Sequence, residues 1–142
     1  MKLDFEFTNL DVVVKNIGEK ISEQNAEQAL GKACALLERE AKMKAPKDTG
    51  ALRNSITSKI EHDGEELSGI VFTPLEYAPY IEYGTGLFAE NGGRTEVPWS
   101  YQDDEGNWHS TSGIHPQPFM RPAFDENREE IVKILAEGLT ND

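Results

Sequence analysis

The alternation of apolar and polar side chains predicts β-strands in three places. Residues 3–7 alternate apolar and acidic positions, which is typical of a short strand with one buried face. Residues 56–61 and 67–73 alternate in the same way, and the Asp63-Gly64 pair between them is a strong signal for a hairpin turn. We therefore expect one strand near the N-terminus and an antiparallel hairpin in the middle of the chain.

Apolar residues at helical spacing predict three helices. The clearest stripe lies on a helix of about 20 residues that ends before Pro46, and it consists of Ala26, Ala29, Leu30, Ala33, Cys34, Leu37 and Ala41. A C-terminal helix begins near Pro122, which is tolerated in a first turn, and its buried face consists of Phe124, Ile131, Leu135 and Leu139. Residues 9–21 also have helical spacing, so we predict a helix there with Asn9 as its cap, although three consecutive valines favour a strand.

Two further elements lie between the long helices. Residues 77–83 predict a short helix, because Pro79 suits a first turn and Gly84 suits the position after the last turn. The segments VPWSY (97–101) and NWHST (107–111) predict a second hairpin, with Glu105 and Gly106 in its turn and a tryptophan on each arm.

Together these elements predict an α+β fold in a single domain that spans residues 1–142. A long N-terminal helix and a C-terminal helix pack on an antiparallel sheet built from hairpins. A chain of 142 residues is long enough to bury a substantial core. No run of about 18 apolar residues occurs, so we expect no membrane span. The single cysteine, Cys34, excludes an internal disulfide, and we interpret it as a small buried apolar residue rather than a nucleophile.

The net charge of −12 bears on the partners of the chain. Binding to nucleic-acid phosphates requires clustered Lys and Arg, so an acidic chain is a poor candidate for a nucleic-acid-binding protein. An acidic wall would nevertheless suit a channel in which DNA slides without adhering. The alternative is that the charge faces outward and keeps the free subunit soluble.

The sequence contains little that indicates catalysis. The glycines from Gly84 to Gly93 match neither phosphate-binding nor dinucleotide-binding loops, so we interpret them as flexible turns. His109 and His115 lie near several carboxylates, and a small metal-dependent hydrolase that uses these two histidines is the alternative from a different functional class. A loop of this composition does not favour a preorganised site. We expect no enzyme activity, no metal and no cofactor.

Three stretches occur in an order that resembles a known family. They are APKDTGALRNSI (45–56), YAPYIEYGTG (77–86) and PQPFMRPAFDENREEI (116–131). In combination they resemble the small neck proteins of long-tailed bacteriophages, the gene-product-ten-like tail-component or tail-completion family, over roughly residues 20–138. Such chains vary most in length in the segment 87–114, so we interpret this segment as a variable hairpin and loop insertion.

The resemblance implies a structural virion protein rather than an enzyme. Such proteins act at the head–tail junction as a homo-oligomeric ring around the DNA channel, and their partners are the head-closure protein and the tail-terminator or tail-tube proteins. This implies a location in the neck or tail of the virion, after assembly in the cytoplasm of the bacterial host. It also implies that DNA passes nearby without specific binding. The alternative in the same class is a tail terminator that caps the tail tube.

The motif residues divide into two expected roles. The first group defines the fold and comprises Pro46, Asp48, Thr49, Gly50, Leu52, Gly84, Gly86, Pro118, Phe119 and Pro122. The second group contains candidates for contacts between subunits or with partners and comprises Tyr77, Tyr80, Tyr83, Glu82, Arg94, Trp99, Trp108 and Arg121. Three interpretations of the tyrosines stay open: packing in the core, contact with another subunit, and a small-ligand pocket. Glu82 is a candidate ion-pair partner of Arg121 or Arg94.

Overall fold

The computed structural model describes residues 2–8, 11–17, 23–47, 50–63, 66–90, 92–94 and 96–140. The described strands are β1 (Lys2–Thr8), β2 (Asp11–Ile17), β3 (Thr57–Asp63), β4 (Glu66–Phe72), β5 (Trp99–Gln102) and β6 (Trp108–Thr111). The helices are α1 (Glu23–Lys44), α2 (Ala51–Ser55), α3 (Ala78–Tyr83) and α4 (Met120–Thr140), with a 3-10 turn at Gly86–Phe88. None of these helices is long and apolar enough to span a membrane.

The described chain groups into two compact units. Unit 1 consists of Met1–Leu75 together with Phe119–Asp142, and unit 2 consists of Glu76–Pro118. The expectation of a single domain over residues 1–142 stays a prediction. The α+β class is confirmed, because unit 1 combines the long helices with an antiparallel sheet.

Unit 1 is built on a four-stranded antiparallel sheet in the order β1-β2-β4-β3. The predicted strand over residues 3–7 lies within β1, and the predicted central hairpin is the β3–β4 pair, with Gly64 of its turn outside the described residues. Gly69 in β4 lies opposite Val14 of β2 on one side and Ile60 of β3 on the other. This glycine therefore lies in an inner strand of the sheet.

The predicted helix over residues 9–21 is wrong. Asp11–Ile17 form strand β2, which pairs with β1 on one side and with β4 on the other. The run of β-branched valines has restricted side-chain rotamers that suit a strand, and pairing on both sides adds to this preference. The proposed cap Asn9, together with Leu10 and Ile21, lies outside the described residues.

Helix α1 buries the predicted apolar stripe, and α4 packs along α1. Lys44 of α1 pairs with Glu126 near the start of α4. At the other end, a Cβ built on Gly138 would lie 2.7 Å from the Cβ of Ala29, so the two helices run antiparallel in close contact. The buried side chains of α4 and the residue before it are Phe119, Met120, Ala123, Phe124, Ile131 and Leu135; the predicted Leu139 lies outside the described side chains.

A tight corner connects α1 to the sheet. Gly50 has φ 74°, a left-handed conformation that glycine adopts without strain, and Leu52 of α2 is buried. The Arg53 Nε donates a hydrogen bond of 3.0 Å to the carbonyl oxygen of Lys42, which satisfies an acceptor at the end of α1. Asp48 and Thr49 lie outside the described residues, so their expected role in defining the fold stays a prediction.

Candidate partner-binding surface

The short helix α3 ends at a glycine that no other residue could replace without strain. The Gly84 N–H donates to the Tyr80 carbonyl oxygen at 2.9 Å, and Gly84 has φ 78°. A Cβ at this position would lie 2.9 Å from the carbonyl oxygen of Ile114 and 2.9 Å from Cδ of Pro116. The predicted helix over residues 77–83 and its end at Gly84 are thus confirmed.

The chain after α3 is bonded tightly to the segment that follows the hairpin β5–β6. The N–H groups of Thr85 and Leu87 donate to the carbonyl oxygens of Ile114 (3.0 Å) and Ser112 (2.9 Å). Gly86 has φ 61°, and a Cβ on it would lie 2.7 Å from the ring of Trp99. The interpretation of this glycine cluster as flexible turns is therefore wrong at Gly86, where close packing requires glycine.

The tip of the β5–β6 hairpin is organised by one carboxylate. Asp103 Oδ1 accepts the N–H groups of Glu105 and Asn107, both at 2.9 Å, and Asp103 Oδ2 lies 2.6 Å from His109 Nε2. The hydrogen bond with His109, followed by that from the Asn107 backbone, lowers the pKa of Asp103 below its ordinary value of 3.8. The His109 ring stacks on Tyr101 with a centroid distance of 5.3 Å. The predicted second hairpin is confirmed.

Unit 2 exposes most of the large apolar side chains that are exposed in the described chain. Eight such residues are exposed, and six of them belong to unit 2; Trp108 is 70% exposed and Tyr80 is 57% exposed. We call these six residues the exposed apolar set: Tyr77, Tyr80, Leu87, Tyr101, Trp108 and Ile114. Exposed tyrosine and tryptophan side chains are enriched at sites that bind other proteins. Packing in the core thus does not account for Tyr77 and Tyr80.

The other candidate residues have different surroundings. The Arg94 guanidinium lies over the ring of half-buried Trp99, with 4.7 Å to the ring centre, beside an open cavity of about 690 Å³ that both residues line. Tyr83 in unit 2 and Arg121 in unit 1 are half-buried. Glu82 is fully buried.

Sequence reasoning missed three members of the exposed apolar set. Leu87, Tyr101 and Ile114 are exposed but were not among the candidates. Tyr101 shares a strand with Trp99 at a spacing of two, which places both on one face of the hairpin. This spacing could have identified Tyr101 as a candidate. Ile114 is an isolated apolar residue in a polar loop, and Leu87 begins a short apolar run, so each gives a weaker signal.

The two histidines of the hydrolase alternative have separate partners. His109 is bonded to Asp103, whereas His115 stacks on Phe88 with a centroid distance of 3.8 Å. Among the residues that the structure describes, no group of three or more His, Cys, Asp or Glu side chains could hold a metal ion. The described geometry therefore does not favour this alternative.

Comparison with protein-family models decides the family. Residues 11–84 match the family described as "Bacteriophage HK97-gp10, putative tail-component". The chain belongs to this phage tail-component family. The matched range covers just over half of the chain and includes the motif at 45–56 and residues 77–84 of the second motif, whereas the motif at 116–131 lies beyond it. Neither a search of curated proteins nor a search of solved structures gave a significant match.

Proposed function

We propose that this phage tail component is a structural protein of the head–tail junction, where copies form a ring around the DNA channel and complete the tail. The observation that carries the proposal is the exposed apolar set of unit 2. Tyrosine and tryptophan, which make up four of its six members, are enriched at contacts between proteins. A tail component has such contacts with other virion proteins, so membership in the family supports the same conclusion.

Trp108 and Tyr80 are the proposed anchors of these contacts. Tryptophan and tyrosine are the residue types that most often carry binding energy at protein interfaces. The hydrogen bonds around Asp103 hold the hairpin tip in shape before a partner arrives, which lowers the entropic cost of binding. The proposed partners are neighbouring copies, the head-closure protein and the tail-terminator or tail-tube proteins.

The acidic composition supports a passive role toward DNA. With a net charge of −12 per chain, a ring would carry a dense negative field. We propose that DNA passes through the ring without adhering and that the protein works without catalysis or cofactor. The proposed location is the neck or tail of the virion, after assembly in the bacterial cytoplasm.

The test is deletion of the gene from the phage, followed by electron microscopy of the particles and complementation in trans. Three copies are supplied: the wild type, Trp108→Ala, and Thr57→Ala as a control for an exposed position in unit 1. We expect filled heads and separate tails in the deletion, rescued by the wild type and by Thr57→Ala but not by Trp108→Ala.

Other outcomes would contradict the proposal. Abnormally long tails in the deletion would identify a tail terminator instead. Normal infectious particles without the gene would show that the protein is not required for joining. Full rescue by Trp108→Ala would exclude Trp108 as an anchor.

A further inference from the structure

Unit 1 contains a groove that is lined mainly by basic side chains, although the chain as a whole is acidic. The groove has a volume of about 530 Å³ and lies along α1 and the corner that follows it. Four of its side chains are basic, whereas the chain as a whole has 14 basic and 26 acidic residues. We call it the basic groove; its charged and large apolar residues are Glu38, Arg39, Lys42, Met43, Lys47 and Arg53.

Contacts within the chain hold two of the four basic side chains in place. Arg53 is tied by its Nε to the carbonyl oxygen of Lys42. The Lys42 Nζ lies 3.0 Å from a Glu38 carboxylate oxygen, and Glu38 also accepts a hydrogen bond of 3.1 Å from Ser58 of β3. The groove is therefore shaped before any ligand binds, because its walls are fixed to both α1 and the sheet.

The remaining two basic side chains are more accessible. The side chain of Arg39 is 66% exposed, and its ion pair with Glu40 is long at 3.7 Å. Lys47 is exposed. A carboxylate that enters the groove can form a bidentate pair with an arginine at a smaller desolvation cost than at a fully buried site.

The groove also has an apolar component, because Met43 lies in it and is 62% exposed. A ligand that fits therefore combines carboxylates with an apolar side chain. DNA phosphates would use the basic side chains but would leave Met43 uncovered. An acidic and partly apolar protein segment matches the groove better than nucleic acid does.

Helix α4 presents such a segment on its outward side. Asp125, Glu129 and Val132 follow one another at i, i+4 and i+7, so they form one stripe, and all three are exposed. We call it the acidic stripe. Its members stand clear of the α4 residues that pack inward, and Asp125 makes a long ion pair of 3.7 Å with Arg128.

Each of the two surfaces, the basic groove and the acidic stripe, also carries one exposed apolar side chain. In the part of unit 1 that the structure describes, two large apolar side chains are exposed: Met43 in the basic groove and Val132, 41% exposed, in the acidic stripe. Met43 lies among mainly basic side chains, whereas Val132 lies one turn after Glu129, with Arg128 beside it. Bringing the two surfaces together would cover both apolar side chains and pair the charges.

We infer that the basic groove of one copy binds the acidic stripe of α4 in a neighbouring copy. The contact joins two different surfaces, so it is heterologous and can repeat from copy to copy until a ring closes. This inference rests on the proposed ring and names the contact that builds it.

The test uses charge reversal on the full-length chain. Arg39→Glu with Lys47→Glu reverses the groove, and Asp125→Lys with Glu129→Lys reverses the stripe. We expect the wild type to associate with increasing concentration in analytical ultracentrifugation, and each double variant to need at least about tenfold higher concentration. An equal mixture of the two variants should regain association, because each groove then meets a stripe of opposite charge.

Charge reversals at another exposed place in unit 1 separate this contact from a general effect of charge. Lys59→Glu and Glu61→Lys change exposed charges on β3, outside both surfaces, and should associate like the wild type. Circular dichroism melts of all variants check that the fold is retained, which is expected because the changed side chains are exposed. The recovery in the mixture cannot come from misfolded chains.

Three results would overturn the inference. Double variants that associate like the wild type would leave the ring intact but place its contact elsewhere. A wild type that stays monomeric at every concentration, even after chemical crosslinking, would mean that copies do not bind each other in this way. A groove variant that associates normally but loses retardation of a DNA fragment would assign the groove to phosphate. The proposed function is tested separately, by electron microscopy of the particles that form when the gene is deleted.

Discussion

Cys34 of α1 lies directly against Gly69 of β4. A Cβ built on Gly69 would be 2.6 Å from the Cys34 Sγ, closer than two such atoms can approach. Gly69 is buried, and its neighbours in the sheet are Val14 and Ile60. Helix α1 therefore comes as near to the sheet as it does because one position on each side carries a small residue.

Gly69→Ala should destabilise unit 1 for this reason. An added methyl group in a packed core costs roughly 1–3 kcal/mol, because neighbouring atoms must shift. The measurement is the free energy of unfolding in urea. Cys34→Ala removes the sulfur, so the double variant Gly69→Ala with Cys34→Ala should recover part of the loss. If the two effects simply add, the clash with Cys34 is not the cause.

The Cys34 thiol should be inert in the folded protein. Burial, with a contribution from the negative charge of Glu38, raises the pKa of Cys34 to about 11. At pH 8 only about one thiol in a thousand is then ionised, and the thiolate is the reactive form. We expect a disulfide reagent to label Cys34 only when denaturant is added. Rapid labelling of the native protein at pH 8 would contradict the packing described for α1.

Gly86→Ala should disrupt unit 2 much more than Gly92→Ala. Both glycines have positive φ, so each substitution carries backbone strain of about 1–2 kcal/mol. At Gly92 a Cβ has open space, whereas at Gly86 it would meet the Trp99 ring. Thermal melts should shift further for Gly86→Ala than for Gly92→Ala. The fluorescence of Trp99, measured in a Trp108→Phe background, should change for Gly86→Ala alone. Equal effects of the two substitutions would mean that only backbone strain matters.

The hairpin tip should depend on the ionised form of Asp103. The pKa of Asp103 is lower in the folded chain than its ordinary value of 3.8, so its carboxylate stabilises the tip at all pH values above that. This stabilisation is lost as the pH falls below about 3.8 through the lowered value. Amide NMR signals of Glu105 and Asn107 should report this loss in the wild type. Asp103→Asn should weaken the tip already at neutral pH, and Asp104→Asn should behave like the wild type.

Trp108→Ala and Tyr80→Ala should weaken binding to virion partners while leaving stability nearly unchanged. Both side chains are exposed, so the free energy of unfolding should change by about 0.5 kcal/mol or less. A residue that anchors an interface costs more than about 1 kcal/mol when truncated. Sedimentation with purified heads or tails, compared with melts of the same variants, checks this. A drop in stability together with binding would indicate packing rather than contact.

Local periodicity explains why much of unit 1 could be predicted. The alanine-rich stripe of α1, the apolar face of α4 and the β3–β4 alternation are each set by residues within a few positions of one another. Strand β2 was missed because its state depends on pairing with β1 and with the distant β4. Its spacing alone fits a helix.

The sequence indicates which residue types occur in the candidate surface, but it does not indicate which of these side chains are exposed. Two tryptophans occupy equivalent places in the sequence pattern of the hairpin, yet Trp108 is 70% exposed and Trp99 packs against Gly86. Glu82 is fully buried although glutamate is usually a surface residue. The hairpin register places the two tryptophans on opposite faces, but the contact of Trp99 with Gly86, outside the hairpin, decides which face is covered.

The division of the chain also fixes an order of events during synthesis on the ribosome. Unit 2 is one continuous segment, so all of it has been made before α4 emerges. The side of α1 that packs on α4 therefore stays open to solvent until α4 has been made. That face consists largely of alanines, which offer little surface to other nascent chains. The small side chains that allow two helices to pack closely in the finished protein thus also make the unfinished chain less prone to aggregate.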